Sequence, residues 1–504
     1  MFKHLIRAAG LLSLALAAPA TAQRPAPPVT PADLLRHIRV LASDDFQGRA
    51  PGTEGERRTV AYLIEQFRAR GLEPAGVQGT YLQPFELLTR RPGQTSLSWT
   101  GPQPGRLGAD EIVGIGRGDR ESWENARIVF AAHGARMPDR GIDQFAGAEI
   151  RDAAVLILYE GPAVEGFPSF QERVHALQAA GAAAIIVILG DDTSLAEIRA
   201  GLQRTLPRAD DPQTPHLLAF IQMAGAQRLI AGAGGDMNRL LNEQPGSSFR
   251  AVTLRGRLSI AMTTTITRVP TSNVIGRLRG SGSTGENVLL LAHWDHLGLC
   301  EPPGARDRIC NGAVDNASGI AGLIEIAGQL SRGRRPARDI LFMATTAEEV
   351  GLVGAGYFAD HPTVPLGSIL AAINMDTIAI APRGAPVAIM PSNVPALNAL
   401  VAATVTAAGR TLDPDDEAAS LVQRQDGWAL ARHGVPALMV GGSFSDMQLL
   451  GRFLEGGRYH RFDDQADDQL ILDGAAEDVN LTVAIVRRLA DPARYQRPRQ
   501  RPAQ

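Results

Sequence analysis

Five separated segments in the second half of the chain carry histidine and carboxylate side chains that could bind metal. They are centred on His293, Asp315, Glu349, Asp376 and His460. Most of the first four follow short β-forming runs, and ligands of open α/β sheets gather in the crevice outside the carboxyl ends of the strands. Imidazole and carboxylate ligands without thiolate are typical of catalytic zinc, because closed structural zinc sites usually contain cysteine. Each segment is a weak signal alone, and the five in this order are a strong one.

Carboxylates next to these segments could carry out proton transfer. Glu348 directly precedes Glu349, and Asp295 lies two residues after His293. Adjacent residues in an extended or turn conformation point in different directions, so one of the two glutamates could bind metal while the other faces water. Three nearby polar residues are assigned a structural role: His296, Asp463 and Asp464. Of these, His296 is the one most easily mistaken for His293 as a ligand.

The elements that must position these residues alternate between strand and helix. The predicted strands are Val288–Ala292, Ile340–Thr345, Ile369–Ile373 and Ala437–Val440, and the predicted helices follow Asp315 or span Val394–Ala408 and Ala475–Leu489. This alternation predicts an α/β fold whose mixed, largely parallel sheet is covered by helices on both faces. Two further helices are predicted near the start, one from Pro31 and one over Glu56–Arg70, with Gly71 placed to end the second.

Residues 105–268 have a different texture and read as a second, inserted domain. Short β-branched runs alternate there with Gly, Pro and Asp, and one clear helix is predicted over Phe170–Ala180. The region has no cluster of metal-ligand types. His133, His175 and His216 stand alone, and a lone histidine is far more often structural or superficial than a ligand.

Length and charge limit the possible functions. A chain of 504 residues is longer than one hydrophobic core usually supports, so at least two domains are expected. The formal net charge of -3, without a basic stripe, gives no reason to expect nucleic-acid binding. The oligomeric state cannot be read from the sequence.

The N-terminus is typical of an export signal. Lys3 and Arg7 precede the apolar run Leu11–Ala18, and small residues before Gln23 offer a cleavage site. The run is shorter than the ~20 residues that a membrane span needs. We therefore expect a signal peptide over residues 1–22, a protein exported to the periplasm or the extracellular space, and no stable membrane insertion afterwards. Polar, Pro-rich residues 23–30 and 493–504 predict a linker and a disordered tail.

The two cysteines, Cys300 and Cys310, are predicted to form a disulfide bond. They are ten residues apart in an exported chain, where such bonds persist. Free thiols and metal binding are the alternatives. The disulfide is favoured because the histidine and carboxylate ligand set is complete without sulfur.

Together these motifs resemble those of peptidase family M28, a family of zinc-dependent exopeptidases that includes secreted bacterial aminopeptidases. The stretch Asp44-Asp-Phe-Gln-Gly-Arg-Ala-Pro-Gly-Thr53 is also similar to the start of its larger members, and residues 105–268 look like the protease-associated (PA) domain that they often carry. The resemblance implies a zinc exopeptidase-like domain formed by residues 31–104 and 269–492, with a β-rich PA-like insertion between them.

Carried over residue by residue, the resemblance implies two zinc ions per chain. Asp315 would bridge them, Glu349 and His460 would complete one site, and His293 and Asp376 the other. The remaining two roles fall to Glu348 as general base and acid, and to Asp295 as the partner that orients the His293 imidazole.

The implied activity is removal of N-terminal residues from peptide substrates. Alternatives are a carboxypeptidase or dipeptidase, a single-zinc glutaminyl cyclase, and an inert peptidase-like binding protein. A carboxypeptidase would need a cation for the terminal carboxylate, and the motif segments offer only Arg458 and Arg461. No specificity pocket can be assigned, although the Gly-rich segment Gly441–Gly457 could form an apolar rim or be an ordinary packed loop.

Overall fold

The structure, a computed structural model, describes residues 26–162, 165–211, 214–242, 249–282, 284–415, 417–455 and 457–497. The predicted signal peptide lies outside these residues. We call residues 105–268 the insertion, and residues 31–104 and 269–492 the main body. The main body begins with α1 (Pro31–Leu41), α2 (Glu54–Ala69), β1 (Glu73–Pro74) and β2 (Leu82–Trp99). Thr30 caps α1 with Asp33 in a reciprocal capping box, and Gly71 follows α2 in a left-handed conformation.

The insertion contains both strands and helices. Its elements are β3 (Gly105–Leu107), β4 (Ile112–Gly116), β5 (Arg120–Phe130), β6 (Arg136–Met137), β7 (Ile142–Asp143), β8 (Ala153–Leu158), α3 (Phe170–Ala179), β9 (Ala184–Leu189), α4 (Leu195–Gln203), β10 (Arg208–Ala209), β11 (Leu217–Gln222), α5 (Met223–Gly232), α6 (Met237–Asn242) and the start of β12 (Val252–Leu278). The structure thus adds α4, α5 and α6 to the one helix that the sequence predicted there. The expected boundary at residue 268 falls inside the continuous strand β12.

The rest of the main body follows the predicted alternation. Its elements are β13 (Asn287–His293), β14 (Gly298–Leu299), β15 (Ile309–Cys310), α7 (Ser318–Ser331), β16 (Asp339–Thr345), α8 (Val353–Asp360), β17 (Ile369–Asn374), β18 (Ala388–Met390), α9 (Pro395–Ala407), α10 (Asp426–Ala431), β19 (Ala437–Gly441), α11 (Met447–Leu454) and α12 (Leu472–Leu489).

One large mixed sheet runs through both portions. Its order is β18-β19-β17-β13-β16-β12-β5-β8-β9-β11-β4, and β2 pairs with β12 over most of its length. In the main body β19, β17, β13 and β16 are parallel, whereas β12 and β18 flank them in antiparallel orientation. In the insertion β5, β8, β9 and β11 are parallel.

Helices cover both faces of the main-body sheet. Leu290 and Phe342 on one face pack into a core shared with α1, α2, α7, α9 and α12. Leu289 and Leu341 on the other face pack with residues of α8 and α10, including Phe358. Because alternate residues of each strand point to opposite faces, strands buried on both sides read as continuous apolar runs. The predicted α/β class with a largely parallel, doubly covered sheet is confirmed.

Two short segments pack where the sequence predicted unfolded chain. The Val29 amide donates to Asn480 Oδ1 at 2.9 Å and Val29 is buried, so part of the expected linker is fixed to α12. Tyr495 is buried as well, and Arg497 Nη2 donates to the Ile369 carbonyl at 2.6 Å. Each segment contributes one apolar side chain to the core, Val29 or Tyr495. Burial of that side chain fixes the segment although its neighbours are polar. None of the helices in the described ranges is long and apolar enough to cross a membrane.

Candidate metal centre

Parallel strand ends bring three of the five ligand segments to one edge of the sheet. In the β13–β16 pair His293 lies opposite Thr345, and in the β13–β17 pair Leu291 lies opposite Asn374. Residues just beyond these strands therefore emerge side by side. They include Glu348, Glu349 and Asp376, as the sequence predicted.

Asp315 lies between the two histidines of the cluster. Its Oδ1 is 3.3 Å from His293 Nε2, and its Oδ2 is 3.3 Å from His460 Nε2. Neither Nε2 atom has a hydrogen-bond partner among the described residues, although both are buried. Two donor atoms on one tetrahedral zinc ion, each bonded at about 2.0–2.2 Å, lie about 3.4 Å apart. The donor spacing thus fits one ion on each side of Asp315.

The remaining ligand candidates complete two groups around Asp315. Asp376 Oδ1 lies 3.4 Å from His293 Nε2, and Glu349 Oε2 lies 2.8 Å from His460 Nε2. The ligand atoms of His293, Asp315 and Glu349 also lie within 4.8 Å of one another, so the two groups share one compact cluster. The structure therefore brings together all five residues that the sequence singled out.

Glu348 lies beside this cluster and contacts it more loosely. Its Oε2 is 4.0 Å from His293 Nε2, farther than the oxygens of Asp315 or Asp376. It still lies within the 4.8 Å that could place it with His293 and Asp376 around an ion. The larger distance favours a role other than ligand.

The Asp295 carboxylate lies near the His293 imidazole, as predicted, but it lies closer to the Glu348 backbone. Its carboxylate Oδ1 is 3.8 Å from His293 Nδ1, and the imidazole contacts the Asp295 backbone oxygen instead, at 3.2 Å. Asp295 Oδ1 accepts a 3.2 Å hydrogen bond from the Glu348 amide. The chain turns after β13, so the carboxylate reaches the next strand end. Asp295 is thus a positioning residue for the Glu348 backbone.

Two residues hold the backbone around Asp315. Asp464 accepts hydrogen bonds from the amides of Val314 and Asp315 at 3.0 and 3.1 Å. Buried Arg49 donates to four main-chain oxygens at 2.6–2.9 Å, those of Leu41, Trp294, Asn311 and Gly312. Reasoning from sequence missed this role of Arg49. The one available signal was its place in the turn-rich stretch that resembles the family.

The carboxylate of Glu349 is held by the histidine that the sequence assigned to structure. His296 Nδ1 lies 2.5 Å from Glu349 Oε1, and the His296 side chain is fully buried. The structure therefore places His296 behind the ligand candidate Glu349. Such supporting partners of a ligand commonly change metal affinity about 10- to 100-fold.

Two further residues of the site were not predicted. Asp426 is fully buried, accepts a hydrogen bond from the Thr345 hydroxyl, and keeps one oxygen without a partner in the described chain. Tyr459 stacks on the His460 ring with centroids 3.7 Å apart. No local spacing links Asp426 to the other carboxylates, because only the fold brings α10 to the end of β16.

Several backbones at the site adopt the left-handed conformation, which is uncommon for residues other than glycine. Ala347, Leu352, Thr377 and His460 have φ values of 56°, 60°, 53° and 59°. Ala347 and Leu352 flank the glutamate pair, whereas the other two belong to the Asp376 and His460 segments. Such conformations persist where surrounding contacts fix them, and they concentrate at functional sites.

The electrostatics follow from burying many carboxylates with few cations. Burial raises the pKa of Asp295 to about 7 and that of Asp426 to about 6. Burial likewise raises the pKa of Glu348 well above its ordinary value. For His460 burial acts in the opposite direction, but the adjacent carboxylates of Asp315 and Glu349 raise its pKa to about 9. Bound cations would relieve this excess of negative charge.

A cleft opens next to the cluster. Its empty space, part of which is open solvent, is about 460 Å³, and Asp376, Thr377 and Tyr459 line it next to the centre. Phe444 and two residues of α11 line it as well, so part of the segment Gly441–Gly457 forms an apolar rim. Phe453 of the same segment is buried in the core.

The two cysteines are joined in the structure. Their Cα atoms are 5.7 Å apart, a normal distance for a disulfide bond. The bond joins Cys300, directly after β14, to Cys310, the last residue of β15, and this hairpin lies between the His293 and Asp315 segments.

Comparison with known proteins points to one family. Residues 273–484 match the sequence model of peptidase family M28. A vacuolar membrane protease of Candida tropicalis is 32% identical over 91 residues, which is 18% of this chain and 9% of that protein. A probable zinc metalloprotease of Leptosphaeria maculans is 34% identical over 112 residues, 21% of this chain and 25% of that protein. The matches thus span a quarter or less of these relatives.

A solved structure is similar over a longer range. The aminopeptidase from Aneurinibacillus sp. strain AM-1 aligns with 91% of this chain and 93% of its own, with a TM-score of 0.44 and 16% identity.

The region that matches the family model, residues 273–484, begins in β12 and ends in α12. It therefore contains all five ligand candidates.

Proposed function

We propose that this protein is an exported aminopeptidase that binds two zinc ions per chain and removes N-terminal residues from peptides. The observation that carries the proposal is the position of Asp315, whose two carboxylate oxygens each lie 3.3 Å from Nε2 of a different histidine. The family match of residues 273–484 supports a peptidase reaction.

The residues of the cluster divide into two sets around Asp315. His293 and Asp376 would hold one ion with it, and Glu349 and His460 the other. When bound, the zinc pair supplies the Lewis acidity that polarises the scissile carbonyl and lets water attack at neutral pH. Asp315 would set the distance between the two ions.

Glu348 would transfer the proton. Its carboxylate accepts a proton from the attacking water and then delivers it to the nitrogen of the departing amine. Burial raises the pKa of this carboxyl, which brings its proton affinity closer to the working pH and suits transfer in both directions. The hydrogen bond from the Glu348 amide to Asp295 fixes the backbone that carries the side chain.

An excess of carboxylates suits a substrate with a free α-amine. The two arginines that the sequence offered for a terminal carboxylate are already engaged: Arg458 contacts Asp467 and two main-chain oxygens, and Arg461 lies 3.5 Å from Asp463. A one-metal cyclase would not need both His293 and Asp376, and an inert binding protein would need none of the ligands.

Mass spectrometry of a digested peptide tests the polarity of cleavage. We expect a ladder that shortens from the N-terminus, and no turnover once the α-amine is acetylated. A ladder from the C-terminus, or equal cleavage of the acetylated peptide, would contradict the proposal. Conversion of an N-terminal glutamine to pyroglutamate without hydrolysis would instead identify a cyclase.

Export and the disulfide bond belong to the same proposal. The apolar run after Lys3 and Arg7 supports export, and the joined positions of Cys300 and Cys310 support an oxidising compartment. Protein unfolded without reductant should show no titratable thiol. Two free thiols would disprove the bond.

We further propose that residues 105–268 are a PA-like insertion that folds around its own core. Two apolar clusters on opposite faces of β5, β8 and β9 support this division, and one of them also contains Leu97 and Trp99 of β2. Limited proteolysis of the intact chain should then cut at the exposed junction near residue 104 before it cuts within either portion, whereas the junction inside the paired strand β12 should resist cleavage.

A further inference from the structure

The cleft beside the candidate metal centre is apolar over most of its surface. One wall contains Asp376 and Tyr459, so a molecule in the cleft would touch the centre directly. The rest of the lining is dominated by side chains that offer no hydrogen bond or charge: Met390, Leu421, Met439, Phe444, Leu450 and Leu454. Pockets of this kind bind apolar groups and use a few polar groups to fix orientation.

One cation, Arg424, also lines this cleft. It ends the helical segment Glu417–Arg424, directly before the buried Gln425 and Asp426. Arg424 is exposed, and its guanidinium makes no hydrogen bond or ion pair with any described residue. Arg410 and Arg458 in the same portion of the chain do have carboxylate partners, at 3.2 and 3.1 Å. Arg424 is therefore available to a ligand.

Groups of both charges line the cleft. Asp376, which belongs to the carboxylate cluster of the centre, and Arg424 are both part of the lining. A peptide with a free α-amine and a nearby carboxylate has the complementary distribution. Arginine binds a carboxylate through two parallel hydrogen bonds, which fixes its orientation as well as its position.

We propose that the cleft binds the apolar side chain of the substrate's N-terminal residue, and that Arg424 binds a carboxylate on the residue that follows. This rests on the proposed peptidase function and names its substrate class: short peptides with an apolar first residue and a carboxylate next to the cleaved bond. The carboxylate comes either from the C-terminus of a dipeptide or from an acidic side chain in the second position.

The test compares three substrates of the zinc-loaded, full-length protein. Leucyl-glycine carries a terminal carboxylate, leucyl-aspartic acid α-amide carries only a side-chain carboxylate, and leucyl-glycinamide carries none. The preference is the ratio of kcat/KM for either acid to kcat/KM for leucyl-glycinamide. Arg424→Ala should lower this ratio about 5- to 10-fold, the range for a charged hydrogen bond to an exposed group. Arg424→Lys should restore part of it.

A matched control removes the same charge from a neighbouring position. Arg452 lies on α11 between Leu450 and Leu454 but does not line the cleft, so Arg452→Ala should leave the ratio unchanged. The acid whose ratio falls identifies the source of the carboxylate. Equal ratios in wild type and Arg424→Ala for both acids would overturn the proposal, as would an equal fall in Arg452→Ala.

Calorimetry separates this proposal from the peptidase function. If no substrate is hydrolysed, the peptidase proposal fails, and binding of the same three peptides to wild type and Arg424→Ala still tests the cleft. Tighter binding of an acid than of leucyl-glycinamide, lost in Arg424→Ala, would support the role of Arg424. Equal binding of all three would overturn it.

Discussion

The insertion and the main body differ in how the polar groups at the ends of their parallel strands are hydrogen-bonded. In the insertion, buried Arg173 donates to the main-chain oxygens of His133, Leu158 and Tyr159. The lone imidazole there is engaged too, because His133 Nδ1 lies 2.7 Å from the Glu160 carbonyl oxygen. Arg173 Nε is buried without a hydrogen-bond partner in the described chain, but the polar groups of these strand ends are otherwise bound by the protein itself.

In the main body, Arg49 binds main-chain oxygens as Arg173 does in the insertion. Several polar side chains near it, however, have no hydrogen-bond partner among the described residues. Nε2 of His293, Nε2 of His460 and Oδ2 of Asp295 are buried without a hydrogen-bond partner in the described chain. Leaving a buried polar group unpaired costs about 1–3 kcal/mol. Parallel strand ends are therefore not enough to form a binding site. A site also needs polar groups that the protein does not pair with its own atoms and that a ligand can bind.

The largest expected effect concerns Asp315. The contrast between the two regions depends most on this residue being shared by two ions. Asp315→Ala should lower kcat/KM at least about 10³-fold, since the loss of several kcal/mol of electrophilic stabilisation is worth about that factor. Elemental analysis after dialysis should show both zinc ions weakened in Asp315→Ala and mainly one in His460→Ala. Two zinc ions at wild-type affinity in Asp315→Ala would contradict the bridging role.

Glu348→Gln should give the next largest effect. We expect kcat to fall at least about 10²-fold with both zinc ions retained, because the change removes proton transfer and no ligand. Glu160→Gln is the matched control, since its carboxylate accepts a hydrogen bond from the Gly190 amide at a strand end of the insertion. Near-normal kcat in fully loaded Glu348→Gln would remove that residue from the mechanism.

The two buried arginines allow the comparison to be made directly. Arg49→Ala and Arg173→Ala should each destabilise the protein by about 2–4 kcal/mol, because each leaves several buried carbonyl groups unpaired. Thermal unfolding would measure this loss. Only Arg49→Ala should also weaken zinc binding in the folded protein, by about 10-fold, since its partners surround Asp315. Equal zinc affinity in both variants would refute this difference.

The smallest expected effect concerns a hydrogen bond between the insertion and the main body. Arg208 of the insertion donates from Nη1 to the Val350 carbonyl at 2.7 Å, next to Glu348 and Glu349. Arg208→Ala should lower kcat about 2- to 5-fold, the worth of one exposed hydrogen bond. Arg127→Ala removes a comparable 2.6 Å bond to the Arg151 carbonyl, which lies within the insertion, and should leave kcat unchanged. The same kcat in both variants would mean that the insertion does not position the glutamate loop.

Much of the main-body fold could be predicted because its signals are local. Strands β13, β16 and β17 are buried on both faces and appear as continuous apolar runs, and each ends within two residues of its predicted end. Three ligand candidates, His293, Glu349 and Asp376, were found for the same reason, since they lie at or just beyond the ends of these strands. Asp426 and Arg49 could not be found this way, because their partners lie 81 and up to 263 residues away in sequence.

The insertion was harder to predict from its sequence. Helix α5 contains Gly225 and Gly232, and glycine disfavours an isolated helix, so only its packing against the sheet explains it. Strand β12 runs for 27 residues with alternating burial through a threonine-rich, polar stretch. That stretch reads as a boundary until its pairing with β2 is seen.

Titrating the metal-free protein with zinc tests the central claim most directly. Activity on an N-terminally free peptide and bound metal should be followed in the same samples. The account predicts that activity reaches its maximum at two zinc ions per chain, because His293 and His460 face opposite oxygens of Asp315. Full activity at one ion per chain, or no tightly bound zinc at all, would contradict it.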